Sequence, residues 1–192
     1  MALNIPVIYG SVRGDRQGIR AARYLMAQLA ARGHRATLVD PLVQALPMLD
    51  RMYKEYPKGG APAVMQELAA LYRGADAFLI CSGEYNNGIP PALKNLLDHF
   101  LEEYFWRPSA IACYSTGQFG GVRAAMQLRM SLAEMGMPSI PSLLPFPRIG
   151  RAVSETGELA DPGFQIVADR FFAELEWYAE ALRDRRRVGV PY

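Results

Sequence analysis

The fold is decided by residues 3–19, which run LNIPVIYGSVRGDRQGI. The first seven of these residues form an apolar run rich in β-branched side chains, which predicts a buried strand. A glycine-rich stretch follows, and it leads into a helical pattern with apolar residues at Ile19, Ala22, Met26 and Leu29. The segment therefore predicts a strand, a loop and a helix in succession, and Gly33 is suited to end the helix.

The same alternation recurs along the rest of the 192-residue chain. Short apolar runs predict further strands at 36–39, 77–81, 110–114 and 139–146, the last with prolines in and beside it. Helical periodicity predicts further helices at 64–72, 93–104, 125–135 and 164–182. Strands that are apolar throughout are covered on both faces, so we expect one doubly wound α/β domain, residues 1–192, with a parallel sheet and helices on both faces.

The composition excludes several classes of protein. Apolar residues make up 51% of the chain and charged residues 21%, which excludes a disordered protein. Two cysteines and two histidines are too few for a disulfide scaffold or a four-cysteine zinc site. No apolar run approaches the roughly 18 residues of a membrane span, and the N-terminus lacks a signal-peptide pattern. We therefore expect a cytoplasmic enzyme or binding protein without a metal.

The charge is unevenly distributed. Residues 1–35 hold six arginines and one acid, so this segment carries +5 and the remainder −3, which sum to the net charge of +2. Either a small anion binds near this segment, or the arginines form a solvated helix face, which charge alone favours. The arginines at 183–187 suit a helix C-terminus, so we expect no nucleic-acid partner.

Ligands of open parallel sheets bind beyond the carboxyl ends of the strands, so the loops after strands one, three and four are the candidates. In the first loop, residues 10–19, the N–H groups of a helix N-terminus combine with Ser11, Arg13 and Arg16. Such a set favours a phosphate group. The glycine spacing matches neither a Walker A loop nor a dinucleotide fingerprint, and an ordinary glycine-rich turn is the alternative.

The second loop, residues 83–91, is rich in Asn, Gly and Pro, which predicts a turn whose polar backbone groups line the rim of a flat heterocycle. Glu84 in this loop is either a general acid or base or, as we favour, a structural group. The third loop, residues 115–121, holds three glycines that permit close approach of the backbone to a ligand.

No side chain in these loops is an evident nucleophile, acid or base. Cys81 and Cys113 lie in predicted strands and are expected to be buried packing groups. His34 falls at a helix-to-strand turn, at the opposite end of the sheet, and His99 lies on a predicted helix. A protein that binds without supplying catalytic side chains suits a cofactor that performs the chemistry itself.

Three motifs resemble those of the NAD(P)H-dependent FMN reductase family. Residues 10–13, GSVR, resemble the family's Gly-Ser-x-Arg motif. Residues 84–86 (EYN) and 91–98 (PALKNLLD) resemble its signature of Pro-Glu-Tyr-Asn followed by Leu-Lys-Asn-x-x-Asp. Residues 115–117 and 120–124 are similar to its third flavin loop. The family has a flavodoxin-like fold, so the resemblance implies a five-stranded sheet of order 2-1-3-4-5.

The resemblance also implies an FMN cofactor, with NADPH or NADH as hydride donor, and no catalytic side chain. It assigns the FMN phosphate to Ser11, Arg13, Arg16, Gln17, Gly18 and Ile19. It places the isoalloxazine ring against Glu84, Tyr85, Asn86, Asn87 and Gly88, and closes the site with Ser115, Thr116, Gly117 and Gly120. Lys94, Asn95 and Asp98 would order the second loop.

The activity implied is hydride transfer from NAD(P)H through FMN to a flavin, quinone or similar acceptor, by a ping-pong mechanism, in a homodimer or homotetramer. The apolar residues 104–106 are either interface or core. The chain departs from the family at Arg16 and Gly18, where many members have Ser and Asn, and at Gly83, where Pro is usual.

Two other functions stay open. One is a flavodoxin-like electron carrier or FMN-binding module without nicotinamide turnover, which the net charge of +2 disfavours because such carriers are usually acidic. The other is a regulatory fold that has lost flavin, which the retained Ser11, Arg13 and glycines disfavour.

Overall fold

The computed structural model describes residues 1–192. Five parallel strands form one sheet of order β2-β1-β3-β4-β5. The strands are β1 (Asn4–Tyr9), β2 (Arg35–Val39), β3 (Phe78–Ser82), β4 (Ser109–Tyr114) and β5 (Ser139–Phe146). This order confirms the doubly wound arrangement expected from the alternating apolar runs.

Six helices cover the sheet: α1 (Ile19–Ala31), α2 (Ala63–Arg73), α3 (Pro91–Asp98), α4 (Val122–Glu134), α5 (Ile149–Ala152) and α6 (Phe164–Val188). The apolar side chains of α1, α5 and α6 join a core cluster of 25 buried residues on one face of the sheet. Those of α2, α3 and α4 join a cluster of 22 on the other face. Helices therefore lie on both faces, as predicted, and none of them combines the length and apolarity needed to cross a membrane.

The third helix is shorter than its apolar spacing predicts. It ends at Asp98, and residues Glu102–Tyr104 form a separate 3₁₀ turn. The carbonyl of His99, just past this end, accepts a hydrogen bond from the N–H of Tyr53 (2.8 Å), so the chain leaves the helix where it meets a segment distant in sequence. Tyr104 is fully buried and belongs to the core, whereas Trp106 is half-buried and packs on Tyr192 at 4.8 Å between ring centroids.

Strand β5 forms despite its prolines because it lies at an edge of the sheet and pairs only with β4. Its register against β4 shifts between Ser109 and Ile111. The sequence did not predict α5, a four-residue helix directly after this strand.

All five strands are parallel, so their carboxyl ends meet at one edge of the sheet. The strands β1, β3 and β4 end at Tyr9, Ser82 and Tyr114, and the three glycine-rich loops follow these residues. The fold therefore brings the three candidate loops together.

Candidate functional site

A cavity of about 210 Å³ lies at this carboxyl edge, between the loops that follow β1, β3 and β4. Its wall contains nine of the residues predicted for the site: Ser11, Arg13, Arg16, Gln17, Gly18, Glu84, Tyr85, Ser115 and Thr116. Small-molecule sites usually enclose about 300–1,000 Å³. The cavity therefore accommodates one end of a nucleotide-sized ligand, with the remainder lying across the loops.

Six predicted residues lie outside the cavity wall: Ile19, Asn86, Asn87, Gly88, Gly117 and Gly120. Ile19 is the first residue of α1, and residues 86–88 form the tip of a turn. Gly120 has φ +63° and lies beneath the β5 loop, where a Cβ would stand 3.0 Å from the nitrogen of Pro147. This glycine therefore supports the packing of two loops.

The loop after β1 has the properties of an anion site. The backbone N–H groups of residues 14–18 donate no hydrogen bond within the chain, and α1 begins directly after them. At Gly10 a Cβ would lie 2.8 Å from Cβ of Leu93, so glycine lets this loop approach α3. Free N–H groups at a helix N-terminus attract negative charge, which fits a phosphate group.

Side-chain charge contributes less to this preference than the sequence predicted. Nη1 of Arg16 lies 2.6 Å from both carboxylate oxygens of Asp40, a buried residue after β2. The charges of Arg13 and Arg16 in the cavity wall are matched by those of Asp15 and Glu84. The backbone therefore supplies most of the attraction for an anion.

The loop after β3 contains a two-residue reverse turn. Tyr85 and Gly88 exchange two backbone hydrogen bonds of 3.1 and 2.9 Å. Asn86 and Asn87 between them have φ of 50° and 66°, the left-handed conformation of a type I′ turn. The hydroxyl of Tyr85 lies 3.1 Å from Oγ of Ser11, so this bond links the loops after β3 and β1 across the cavity.

Glu84 caps a helix. Its Oε2 accepts hydrogen bonds from the backbone N–H groups of Arg123 (3.0 Å) and Ala124 (3.2 Å), in the first turn of α4. Its Oε1 lies 3.5 Å from Nη1 of Arg123, and the Glu84 side chain is 9% exposed. A carboxylate in this position satisfies free N–H groups and the helix dipole, which supports the structural interpretation of Glu84.

The loop after β4 is held by the loop after β5. The N–H groups of Arg148 and Ile149 donate to the carbonyls of Gly117 (2.9 Å) and Ser115 (3.0 Å). Gly121 has φ +83°, and a Cβ there would lie 2.7 Å from the carbonyl oxygen of Tyr114, so the position requires glycine. The N–H groups of residues 116–118 donate no hydrogen bond within the chain and remain available to a ligand.

The two cysteines and two histidines are not part of the cavity wall. Burial raises the pKa of the Cys113 thiol to about 12 and that of Cys81 further, so both stay protonated at neutral pH. His34 accepts a hydrogen bond from the N–H of Leu3 and lies 3.1 Å from Glu176, at the opposite edge of the sheet. His99 is buried, with Nδ1 2.7 Å from the carbonyl oxygen of Asn95.

Three residues of the cavity wall were not predicted from the sequence: Asp15, Tyr114 and Ile149. Tyr114 had a detectable signal, because it ends a buried strand directly before a predicted ligand loop. Asn95 was expected to order the loop after β3, but its side chain instead bonds the N–H of Leu49 (2.9 Å) and the carbonyl of Pro47 (2.8 Å), in the segment that follows β2.

The sheet order and the loops at its carboxyl edge define a flavodoxin-like α/β protein. Solved structures support this class: an NAD(P)H:acceptor oxidoreductase from Paracoccus denitrificans has a TM-score of 0.72 at 20% identity, covering 95% of this chain and 98% of that one. A flavodoxin from Pseudomonas aeruginosa, with a TM-score of 0.54 at 19% identity, covers 93% of this chain and 98% of its own. At these identities the likeness concerns the fold alone.

The sequence profile of the NADPH-dependent FMN reductase family matches residues 3–149, and the chain belongs to this family. It is therefore an oxidoreductase whose cofactors are FMN and NAD(P)H. A Bacillus NADPH azoreductase is 27% identical over 98% of this chain and 99% of its own length. A Pseudomonas putida quinone reductase is 28% identical, over 88% of this chain and 92% of its own length. An NAD(P)H-dependent FMN reductase of a Nectria species is 32% identical, over 74% of this chain and 75% of its own length.

Proposed function

We propose that this protein reduces quinones or flavins with electrons from NAD(P)H, by a ping-pong mechanism, at the cavity of the carboxyl edge. The observation that carries the proposal is the set of backbone N–H groups at residues 14–18 that face no acceptor within the chain. Relatives named azoreductase, quinone reductase and FMN reductase support the choice of acceptor.

Each loop has a distinct part in this proposal. The loop of residues 11–19 holds the phosphate of FMN through its N–H groups, with Ser11 and Arg13 as side-chain donors. Arg16 adds charge, although its Nη1 is engaged with Asp40. The turn of residues 84–88 lines the isoalloxazine ring, and residues 115–120 close over its other side.

No side chain of the cavity wall acts as a catalytic acid or base in this proposal. Bound FMN supplies the two-electron redox chemistry between the nicotinamide and the acceptor. The chain orients both substrates, and the free N–H groups of residues 116–118 stabilise negative charge that develops at the rim of the ring. Glu84 is committed to the first turn of α4 and keeps the loop after β3 in place.

Steady-state kinetics test the proposal. Protein loaded with FMN is mixed with NADPH or NADH and a benzoquinone, and initial rates are measured while both substrates vary. We expect NAD(P)H oxidation that depends on the quinone, with parallel double-reciprocal lines. Intersecting lines would contradict the ping-pong order alone. No oxidation with any quinone or flavin, despite bound FMN, would contradict the proposed function.

A further inference from the structure

Tyr114, which was not predicted as a site residue, lies in the cavity wall against Gly18. It is the last residue of β4, its side chain forms part of the cavity wall, and only 8% of the residue is exposed. Its ring stacks on that of Tyr9, with 6.3 Å between centroids and 25° between planes. The two rings together lie beneath the loop that follows β1.

Two glycines make room for this ring. A Cβ at Gly18 would lie only 1.9 Å from Cζ of Tyr114, and a Cβ at Gly83 would lie 3.1 Å from both Cζ and the hydroxyl oxygen. Real Cβ atoms do not approach other atoms to 1.9 Å, so position 18 is restricted to glycine as long as Tyr114 keeps this conformation.

The hydroxyl of Tyr114 lies near that of Tyr9 but forms no hydrogen bond of acceptable geometry within the chain. Four other buried polar atoms share this property, on Arg32, Tyr72, Trp106 and Arg183, and none of those residues lines the cavity. A buried hydroxyl without a partner is unfavourable, and in a ligand site its partner is commonly the ligand. Burial raises the pKa of Tyr114 well above its ordinary value, so the group stays a neutral donor at physiological pH.

The neighbouring groups indicate which part of a ligand this hydroxyl meets. Gly18 directly precedes α1, and the N–H groups of residues 14–18 have no acceptor within the chain. The hydroxyl of Tyr9 is already used, because it donates to the carbonyl of Arg16 (3.3 Å). The free donor of Tyr114 therefore lies beside the part of the loop best suited to an anion.

We propose that the Tyr114 hydroxyl donates a hydrogen bond to the phosphoryl group of FMN. The proposal rests on the proposed function, because it assumes that FMN occupies this cavity. It makes Tyr114 a binding residue that discriminates phosphorylated from unphosphorylated flavin.

Paired titrations of the apoprotein with FMN and riboflavin test this inference, with flavin fluorescence as the readout. We expect Tyr114→Phe to weaken FMN binding about tenfold, as for loss of one hydrogen bond to a charged group, and to leave riboflavin binding unchanged. Thermal unfolding of the apoprotein should shift upwards, because the variant removes an unpartnered buried hydroxyl. Tyr24→Phe is the matched control, since Tyr24 is buried on α1 and bonds Gln165 instead.

The outcomes separate the two proposals. An equal loss of FMN and riboflavin affinity in Tyr114→Phe, or no loss at all, would overturn the phosphoryl contact and leave the proposed function standing. Failure of the unsubstituted protein to bind FMN would overturn both. A drop in apoprotein stability with an unchanged ratio of the two affinities would reduce Tyr114 to a packing residue and also overturn the inference.

Discussion

The two edges of the sheet are built in opposite ways. At the amino edge the charged groups around Arg107 are paired, although Nε1 of Trp106 beside them is not: Arg107 donates to the carbonyls of Ala75, Phe105 and Arg73, and buried Glu103 lies 2.6 Å from Arg73. At the carboxyl edge the N–H groups of residues 14–18 and 116–118 and the hydroxyl of Tyr114 have no acceptor within the chain.

Unpaired backbone N–H groups are therefore concentrated in the loops of the carboxyl edge. Unpaired buried polar groups lower stability, and a cluster of them around a cavity marks a place where a ligand can supply the missing partners. Substitutions of paired groups should therefore lower stability and leave ligand affinity intact, and substitutions of the unpaired groups at the carboxyl edge should weaken ligand binding without lowering stability. The predictions that follow test this separation.

The largest effect is expected for Arg107→Ala at the amino edge. Its guanidinium donates to three carbonyls at 2.8, 2.8 and 2.5 Å. Burial lowers the pKa of Arg107 to about 10, so it remains charged at neutral pH. Loss of these bonds should reduce the free energy of unfolding by about 3 kcal/mol, measured by urea denaturation of the apoprotein. At about 2–4 °C per kcal/mol for this chain length, the melting temperature should fall by about 6–12 °C.

Arg107→Lys is the matched variant, because it keeps the charge and loses the planar set of donors. It should fall between the unsubstituted protein and Arg107→Ala in stability. FMN affinity of the folded fraction should stay within about threefold in both variants, a change of about 0.6 kcal/mol. A larger loss of FMN affinity would show that the two edges are coupled.

The next effect is expected for Arg13→Ala at the carboxyl edge. Arg13 is exposed, lines the cavity and contacts the Tyr85 ring only loosely, with 6.0 Å from its guanidinium carbon to the ring centroid. Removal of one charge-assisted donor should weaken FMN binding about 10- to 100-fold, with stability unchanged. Fluorescence titration at increasing salt measures both the loss and its ionic component.

Arg35→Ala is the control for charge alone. Arg35 lies at the start of β2, at the amino edge, is exposed, and forms no ion pair. The two variants have the same net charge, so a general electrostatic effect would weaken FMN binding equally in both. A comparable loss in Arg35→Ala would refute a specific contact at Arg13.

The sequence predicted the strands, the sheet order and the three loops because each depends on local apolar runs or on a family motif. It did not predict the end of α3, since the N–H group that takes the His99 carbonyl belongs to Tyr53, far away in sequence. Likewise, Arg16 was assigned to phosphate from its position, and its pairing with Asp40 across the tip of β2 is visible only in three dimensions.

The collision of a Cβ at Gly18 with Tyr114 is another long-range relation that one sequence does not reveal. Contacts between distant residues also explain part of the arginine excess in residues 1–35. Arg20 and Arg32 pair with Glu155 and Asp169, which come from the acidic remainder of the chain. Local patterns thus identify elements, whereas contacts between distant residues decide which charges stay free for a ligand.

A smaller effect is expected for Glu84→Gln, which lies at the carboxyl edge but is fully paired. An amide oxygen still accepts from the first turn of α4, so only the charge and the contact with Arg123 are lost. Stability should fall by about 1 kcal/mol. The shape of the kcat profile between pH 5 and 8 should not change, because Glu84 transfers no proton. If the variant no longer shows a rise or fall of kcat with pH that the unsubstituted protein shows, Glu84 is instead a general acid or base.

The smallest effect is expected for the cysteines, each of which is buried one residue before the carboxyl end of its strand, Cys81 in β3 and Cys113 in β4. Burial raises the pKa of Cys113 from 9.0 to about 12, so its thiolate is scarce in the native state. Native protein at pH 8 should therefore resist labelling by a thiol reagent, and denatured protein should label quickly at both Cys81 and Cys113.

The same shift fixes the direction of the pH dependence. The unfolded chain releases the Cys113 proton near pH 9 and the native chain only near pH 12, so this thiol adds no pH dependence below about pH 8 and lowers stability progressively between those values. Cys113→Ala should flatten this alkaline decline in urea denaturation series and leave FMN affinity unchanged. Rapid labelling of the native protein would mean that the carboxyl ends of β3 and β4 open, and the rigid framework assumed for the carboxyl edge would then not hold.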